Sequence, residues 1–272
     1  AEIVRALVTF PETELVLFTG SVSSGVSIAR MIAQRENPLI RYIPECGGLA
    51  PFIVCEDADL NLAAELAMKG CFNHSGQRCT AIRKIIVMKK VADEFLKRFV
   101  KKTGELRWGN PYDVTNDMGT VIDETAAIMI RYLVDTALKQ RATLCFGHHD
   151  YPDHPALIAP TILDHVDPQT PLVMKETFGP IAPLIRATGF SEALALAKSP
   201  YKLASAIVTA SVTAAHMAAE ELGFGQFSWN GVPGYRTEAA PFGGFGVSGN
   251  GSKRGVVETI EAMLNKHTFY EH

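Results

Sequence analysis

The sequence predicts an α/β fold built on a largely parallel sheet. Three observations carry this reading. Short compact apolar runs recur, such as residues 14–18 and 51–55, as expected of strands buried on both faces. Segments of helical period stand between them, as at 123–140. Glycine, proline, aspartate and asparagine mark the points where one period gives way to the other. Alternation of strands and helices is the signature of α/β architecture.

Taken in order, residues 2–9 read as a short helix and 14–18 as a buried strand. Thr19-Gly20-Ser21-Val22-Ser23-Ser24-Gly25 follows, then the helical pattern Val26, Ile28, Ala29, Ile32, Ala33. A strand, a Gly/Ser turn and a helix can aim backbone N–H groups at an anion. This spacing matches neither the dinucleotide fingerprint nor the P-loop, so by itself it favours a plain connecting turn. Residues 41–43 read as a strand that ends at Pro44-Glu45-Cys46-Gly47-Gly48, and 51–55 as another. Asp57 and Asp59 are candidate caps for a helix over 60–73.

Beyond Cys79, 83–88 is a strand and 91–102 an amphipathic helix with a basic outer face. A loop covers 103–119, a long helix 123–140 and a strand 143–146. Strands are expected near 158–163, 181–186, 205–209 and 226–229, with helices at 191–198 and 211–222. Residues 230–251 form a long Gly-rich loop, of the kind usually functional or linking. A last helix spans 253–264. Residues 266–270 alternate like an edge strand, which would need a partner from another chain; a homo-oligomer, dimer or tetramer, is therefore expected.

Composition narrows the function classes. The chain has 272 residues, is 47% apolar and 20% charged, and carries a formal net charge of −3 with scattered lysines and arginines. That excludes a basic nucleic-acid surface or an acidic tail. No apolar run is long enough for a transmembrane helix. The five cysteines, Cys46, Cys55, Cys71, Cys79 and Cys145, include no CxxC pair. This argues against a disulfide framework and for a reducing, cytoplasmic setting. His148, His149, Asp150, Asp153 and His154 cluster in sequence, but nothing around them fixes a ligand geometry. A solvated loop is the better reading, and no metal is expected.

The chemistry centres on Phe72-Asn73-His74-Ser75-Gly76-Gln77-Arg78-Cys79-Thr80. A cysteine in a turn beside a cation or backbone N–H groups can be activated as a nucleophile. Glu45, between a proline and two glycines, is a candidate base, though alone it reads equally as a surface carboxylate. The combination is more specific. PECGG, then GQRC with Cys79 34 positions after Glu45, then KETFGP and PFGGFGVSG, resemble the NAD(P)-dependent aldehyde dehydrogenases, and the resemblance runs from Leu15 to the C-terminus.

The resemblance implies a three-layer catalytic domain over 49–250, a remnant of a Rossmann-like cofactor domain over 1–48, and a terminal helix and oligomerisation strand over 251–272. It implies that Cys79 attacks an aldehyde to give a thiohemiacetal, that hydride passes to NAD or NADP, and that Glu45 activates the water that hydrolyses the thioester. Phe18, Thr19, Gly20, Ser21 and Gly47 would line the cofactor site. Glu176 and Phe178 would hold the nicotinamide ribose and ring, and Phe242 would line the aldehyde funnel beside Thr80. Cys46 stands where the family usually has leucine. Family members are much longer, and no segment here matches their oxyanion-hole asparagine or adenosine-binding lysine. The isolated chain is therefore expected to bind NAD(P) weakly and to lack full turnover.

Arg78 and Arg236 suggest a small anionic or hydroxylated aldehyde, such as lactaldehyde, glyceraldehyde 3-phosphate or phosphonoacetaldehyde. Equally, Arg78 could point away while Arg236 pairs with Glu238. Two other classes stay open: a coenzyme A-acylating member, disfavoured by the retained Glu45, and a catalytically incomplete structural or binding protein.

Overall fold

A computed structural model describes residues 2–147, 154–252 and 255–272. The chain opens with helix α1 (Glu2–Thr9), strand β1 (Leu15–Gly20), helix α2 (Val22–Ala33) and strand β2 (Arg41–Cys46). β1 and β2 pair in parallel as a sheet of their own, and Val8, Ile28 and Ile32 pack a small core against it. Helix α2 begins at Val22, earlier than its apolar pattern suggests. The Ser21 side chain accepts the Ser24 N–H and caps it, so the Gly/Ser segment supplies the first helical turn.

Strand β3 (Ala50–Val54) starts the main sheet, followed by helix α3 (Leu60–Phe72), a 3₁₀ turn (Asn73–Gly76), strand β4 (Ile82–Met88) and helix α4 (Lys89–Thr103). Then come α5 (Glu124–Lys139), β5 (Thr143–Phe146), β6 (Thr161–Asp164), α6 (Pro171–Met174), β7 (Ile181–Ala187) and α7 (Phe190–Ala197). The chain continues through β8 (Tyr201–Lys202), β9 (Ala204–Val208), α8 (Val212–Leu222), β10 (Gln226–Trp229), β11 (Phe245–Gly246) and α9 (Val256–Met263).

The main sheet runs β10-β9-β3-β4-β7-β6-β5, parallel throughout except for β5, which pairs antiparallel with β6. Its three layers follow from the period of a strand. Successive side chains point to opposite faces. Phe52, Val54, Ile85, Val87, Ala206 and Val208 thus join the core beneath α3 and α4, while Ile53, Ile86, Met88 and Ile207 join that beneath α7 and α8. β3 and β4 are buried at every position, which explains the apolar run of β3 and of residues 85–88, while Arg83 and Lys84 are buried with them.

Two local expectations are corrected. Asp59 alone caps α3, accepting the Asn61 and Leu62 N–H groups, whereas Asp57 accepts the Thr209 hydroxyl and ties the loop after β3 to the end of β9. Residues 266–270 join no sheet within the single chain, and the partner expected for them is a strand of another chain. The loop at 230–251 is not wholly irregular, because β11 pairs antiparallel with β8. Of the sequence-adjacent His/Asp group, His148, His149, Asp150 and Asp153 lie outside the described residues. Among the described residues no cluster of His, Cys, Asp or Glu could hold a metal, and no helix is long and apolar enough to cross a membrane.

Candidate active site

The site forms where two sets of strand ends meet. Thr19 and Glu45 arrive at the carboxyl ends of β1 and β2. Gly48, Cys79 and Gly179 lie just ahead of the amino ends of β3, β4 and β7. Between them is a cavity of about 430 Å³, lined by Thr19, Glu45, Cys46, Gln77, Arg78, Cys79, Thr80, Phe178, Leu203, Gly234, Arg236 and Phe242. Residues far apart in sequence thus share one wall, including every residue assigned to catalysis or substrate.

Cys79 is held by a strained approach. His74 and Ser75 both have φ 56°, and Gly76 has φ 67°, so three consecutive residues lie in the left-handed region. A side chain on Gly76 would collide with the Gly179 carbonyl, so the turn also needs glycine for space. The Ser75 hydroxyl donates to the Gly119 carbonyl at 3.0 Å and the Gln77 amide to the Thr120 carbonyl at 3.3 Å, anchoring the turn to the loop before α5.

Glu45 is 4% exposed and opens onto the cavity from the end of β2. Its segment is fixed from behind by Ser248. The Ser248 hydroxyl donates to the Gly47 carbonyl at 2.8 Å and accepts the Lys202 N–H at 3.1 Å, and the Cys46 N–H donates to the Ser248 carbonyl at 2.9 Å. The two glycines after Cys46 are spatial necessities. A side chain on Gly47 would overlap the Glu176 carboxylate, and one on Gly48 would lie 2.5 Å from the Cys79 carbonyl.

Burial pushes the Cys79 thiol up from its ordinary value, the Glu176 carboxylate adds to that, and the Arg78 guanidinium opposes it. The resting group is therefore a thiol that must give up a proton, not the activated thiolate that its cationic neighbour suggests. Glu176 is also pushed up by burial, against the pull of Arg83 and of the Gly48 N–H.

Phe242 lines the cavity with the Arg236 guanidinium 4.4 Å from its ring centroid. Of the residues expected to meet a cofactor, Thr19 and Phe178 line the cavity. Gly47 and Glu176 stand immediately behind it. Phe18 turns its ring over Gly20 and Gly25 and joins the core of Ile28 and Ile32. The Ser21 hydroxyl is engaged at the start of α2. Two residues escaped the sequence reading. Ser248 sits inside the PFGGFGVSG segment with nothing local to mark it. Arg83 did leave a signal: with Lys84 it places two cations in an otherwise apolar buried strand.

A thiol and a carboxylate face one cavity, with a second carboxylate and an aromatic ring beside them. The aldehyde dehydrogenase family model covers residues 1–269. The chain belongs to the aldehyde dehydrogenase family. It is 34% identical to a lactaldehyde dehydrogenase of Methanococcus vannielii, over 94% of this chain and 53% of that protein. A glyceraldehyde-3-phosphate dehydrogenase of Methanocaldococcus jannaschii, complexed with NADP, superposes with a TM-score of 0.89 at 34% identity, covering 96% of this chain and 55% of that one. A betaine aldehyde dehydrogenase of Staphylococcus aureus in complex with NAD+ gives 0.87 at 29% identity, covering 95% and 52%. The chain thus spans about half the length of the relatives it matches.

Proposed function

We propose that this chain supplies the thiol, the base and the substrate pocket of an NAD(P)-dependent aldehyde dehydrogenase that oxidises an aldehyde to a carboxylic acid. The observation that carries this reading is the convergence of Cys79 and Glu45, from separate strand ends, on one cavity.

The residues fit a dinucleotide. Gly47 leaves room for the Glu176 carboxylate at the cavity edge, where it can accept ribose hydroxyls, and Phe178 presents a ring to the cavity. The bound cofactor would supply a nicotinamide that accepts hydride. Family membership and relatives complexed with NADP or NAD+ support this assignment.

Cys79 attacks the aldehyde carbon, and its thiol proton passes to solvent. Glu45 is the carboxylate that lines the same cavity, and it is kept for the later step in which water is activated. The resulting oxyanion needs donors already in place, for which the Cys79 backbone N–H is a candidate. Once the carbon has lost hydride, Cys79 carries a thioester. Glu45 then takes a proton from water, the water oxygen adds to the thioester carbon, and Cys79 leaves as thiolate. Loss of that charge by reprotonation is favoured by burial and Glu176.

Arg78 and Arg236 reach the cavity from opposite segments, so an aldehyde bearing a carboxylate or phosphate, or a small hydroxylated one, is the proposed substrate. The lactaldehyde and glyceraldehyde-3-phosphate activities named for two relatives support that class.

Product analysis of the whole protein tests the reading. Carboxylic acid formed in step with reduced cofactor is the expected result. Product appearing only with coenzyme A, as acyl-CoA, would move the chain to the acylating group. No reduced cofactor with any aldehyde would sink the proposal.

A further inference from the structure

Arg83 carries a feature that the chemistry above does not use. Ala50 pairs with Ile82 and the next residue, Pro51, with Lys84, so Arg83 is the extra residue of a register shift between β3 and β4. Such an irregularity re-aims a side chain, and bulges are common beside active sites. The Arg83 side chain is fully buried beneath the nucleophile turn. Its Nη2 donates to the Gly76 carbonyl at 2.6 Å and to the Arg78 carbonyl at 2.9 Å. Its Nη1 reaches the Gly179 carbonyl at 3.3 Å. Its guanidinium carbon lies 5.4 Å from the centroid of the Phe178 ring.

We propose that Arg83 is a positioning residue, a buried clamp that locks the turn before Cys79 to the loop bearing Phe178 and so sets the nucleophile against the cofactor face. The inference rests on the reading of Cys79 as nucleophile and Phe178 as a cofactor contact.

The energetics favour a dedicated role. A guanidinium buried without partners is costly, and carbonyls arranged around it repay that cost. Burial lowers its pKa only to about 10, so it remains charged at neutral pH. The bonds fall where strain is concentrated. Two of the acceptors are Gly76, which ends the left-handed run, and Arg78, next to the nucleophile. The third follows Phe178, itself left-handed at φ 47°. Left-handed non-glycine residues persist only where surrounding contacts over-determine them. Lysine has no planar fork and cannot hold three carbonyls in this geometry.

The test uses the chain itself. The chain and its Arg83→Lys and Arg83→Met variants are alkylated with iodoacetamide across a pH series, and each cysteine is followed by peptide mass spectrometry. Cys145, partly exposed on β5, is the internal reference, and fully buried Cys71 reports general loosening. The clamp predicts a Cys79:Cys145 rate ratio lowered about tenfold in Arg83→Lys and at least as much in Arg83→Met, with Cys71 still protected. An unchanged ratio and pH profile in folded Arg83→Lys would overturn it. So would a rise of Cys79 and Cys71 together. If both variants fail to fold, Arg83 is a determinant of the fold and the proposal is wrong. The nucleophile assignment is judged separately, by an acyl adduct on the unsubstituted Cys79, so the two readings can fail independently.

Discussion

The Gly48 N–H donates to the Glu176 carboxylate at 3.2 Å, and that carboxylate fills the space beside Gly47 where any other residue would carry its side chain. The segment after Glu45 and the loop after α6 are therefore fitted to each other before any ligand arrives. Gly47→Ala should leave the fold intact but expel Glu176 from this seat. Overpacking of this kind costs about 1–3 kcal/mol. In the whole protein the expected result is a raised KM for the cofactor with a smaller change in KM for the aldehyde, read from steady-state kinetics at saturating co-substrate.

Glu176 also acts on the thiol. It is the largest electrostatic contributor, after burial, holding the Cys79 pKa up. Removing its charge makes the thiolate easier to form. Glu176→Gln should shift the pH–alkylation curve of Cys79 to lower pH and speed labelling below the inflection. Peptide-resolved iodoacetamide kinetics measure this, and a shift to higher pH would contradict the account.

Arg236 lies over Phe242 and faces the cavity from the loop after β10. As an anion anchor, its loss should fall on charged substrates. For Arg236→Ala in the whole protein, kcat/KM for phosphonoacetaldehyde should drop about tenfold to a hundredfold, the worth of a charge-assisted hydrogen bond. Propanal should change little. Equal losses on both would return Arg236 to a bracing role.

Lys84 gives a prediction about stability alone. Its amine is buried, donates to the Leu196 carbonyl at 2.8 Å, and has its pKa lowered by burial to about 8. The unfolded chain holds this proton up to about pH 10.4. Between those values the unfolded state binds more protons, so the Lys84 contribution to stability rises with pH. Below about pH 8 the folded state bears the full cost of a buried charge. The difference in urea midpoint between the chain and Lys84→Met should therefore favour the variant most at neutral pH and shrink as pH rises towards 10.

The residues show where a sequence can and cannot be read. β3 and the second half of β4, residues 85–88, were legible because a strand buried on both faces favours apolar residues. Asp59 was legible as a cap because capping is local. Cys79 and Glu45 were paired only through the family resemblance of their motifs, whose glycines Gly47, Gly48 and Gly76 prove to be spatial requirements. Arg83 was not legible as a clamp: its acceptors are backbone carbonyls, which any sequence possesses, and its direction depends on a register shift that leaves no compositional trace. The packing of Phe18 was not legible for a similar reason. Its ring direction is set by Gly20, Gly25 and the α2 core, a tertiary fact.

The most direct test of the central claim is the mass of Cys79 during turnover. The whole protein carrying Glu45→Gln, quenched while oxidising an aldehyde with its cofactor, should accumulate the acyl group of that aldehyde on the peptide containing Cys79, with one molecule of reduced cofactor formed rapidly per site and little acid released afterwards. Undiminished acid release with Cys79 unmodified, or an acyl group on another cysteine, would contradict the account.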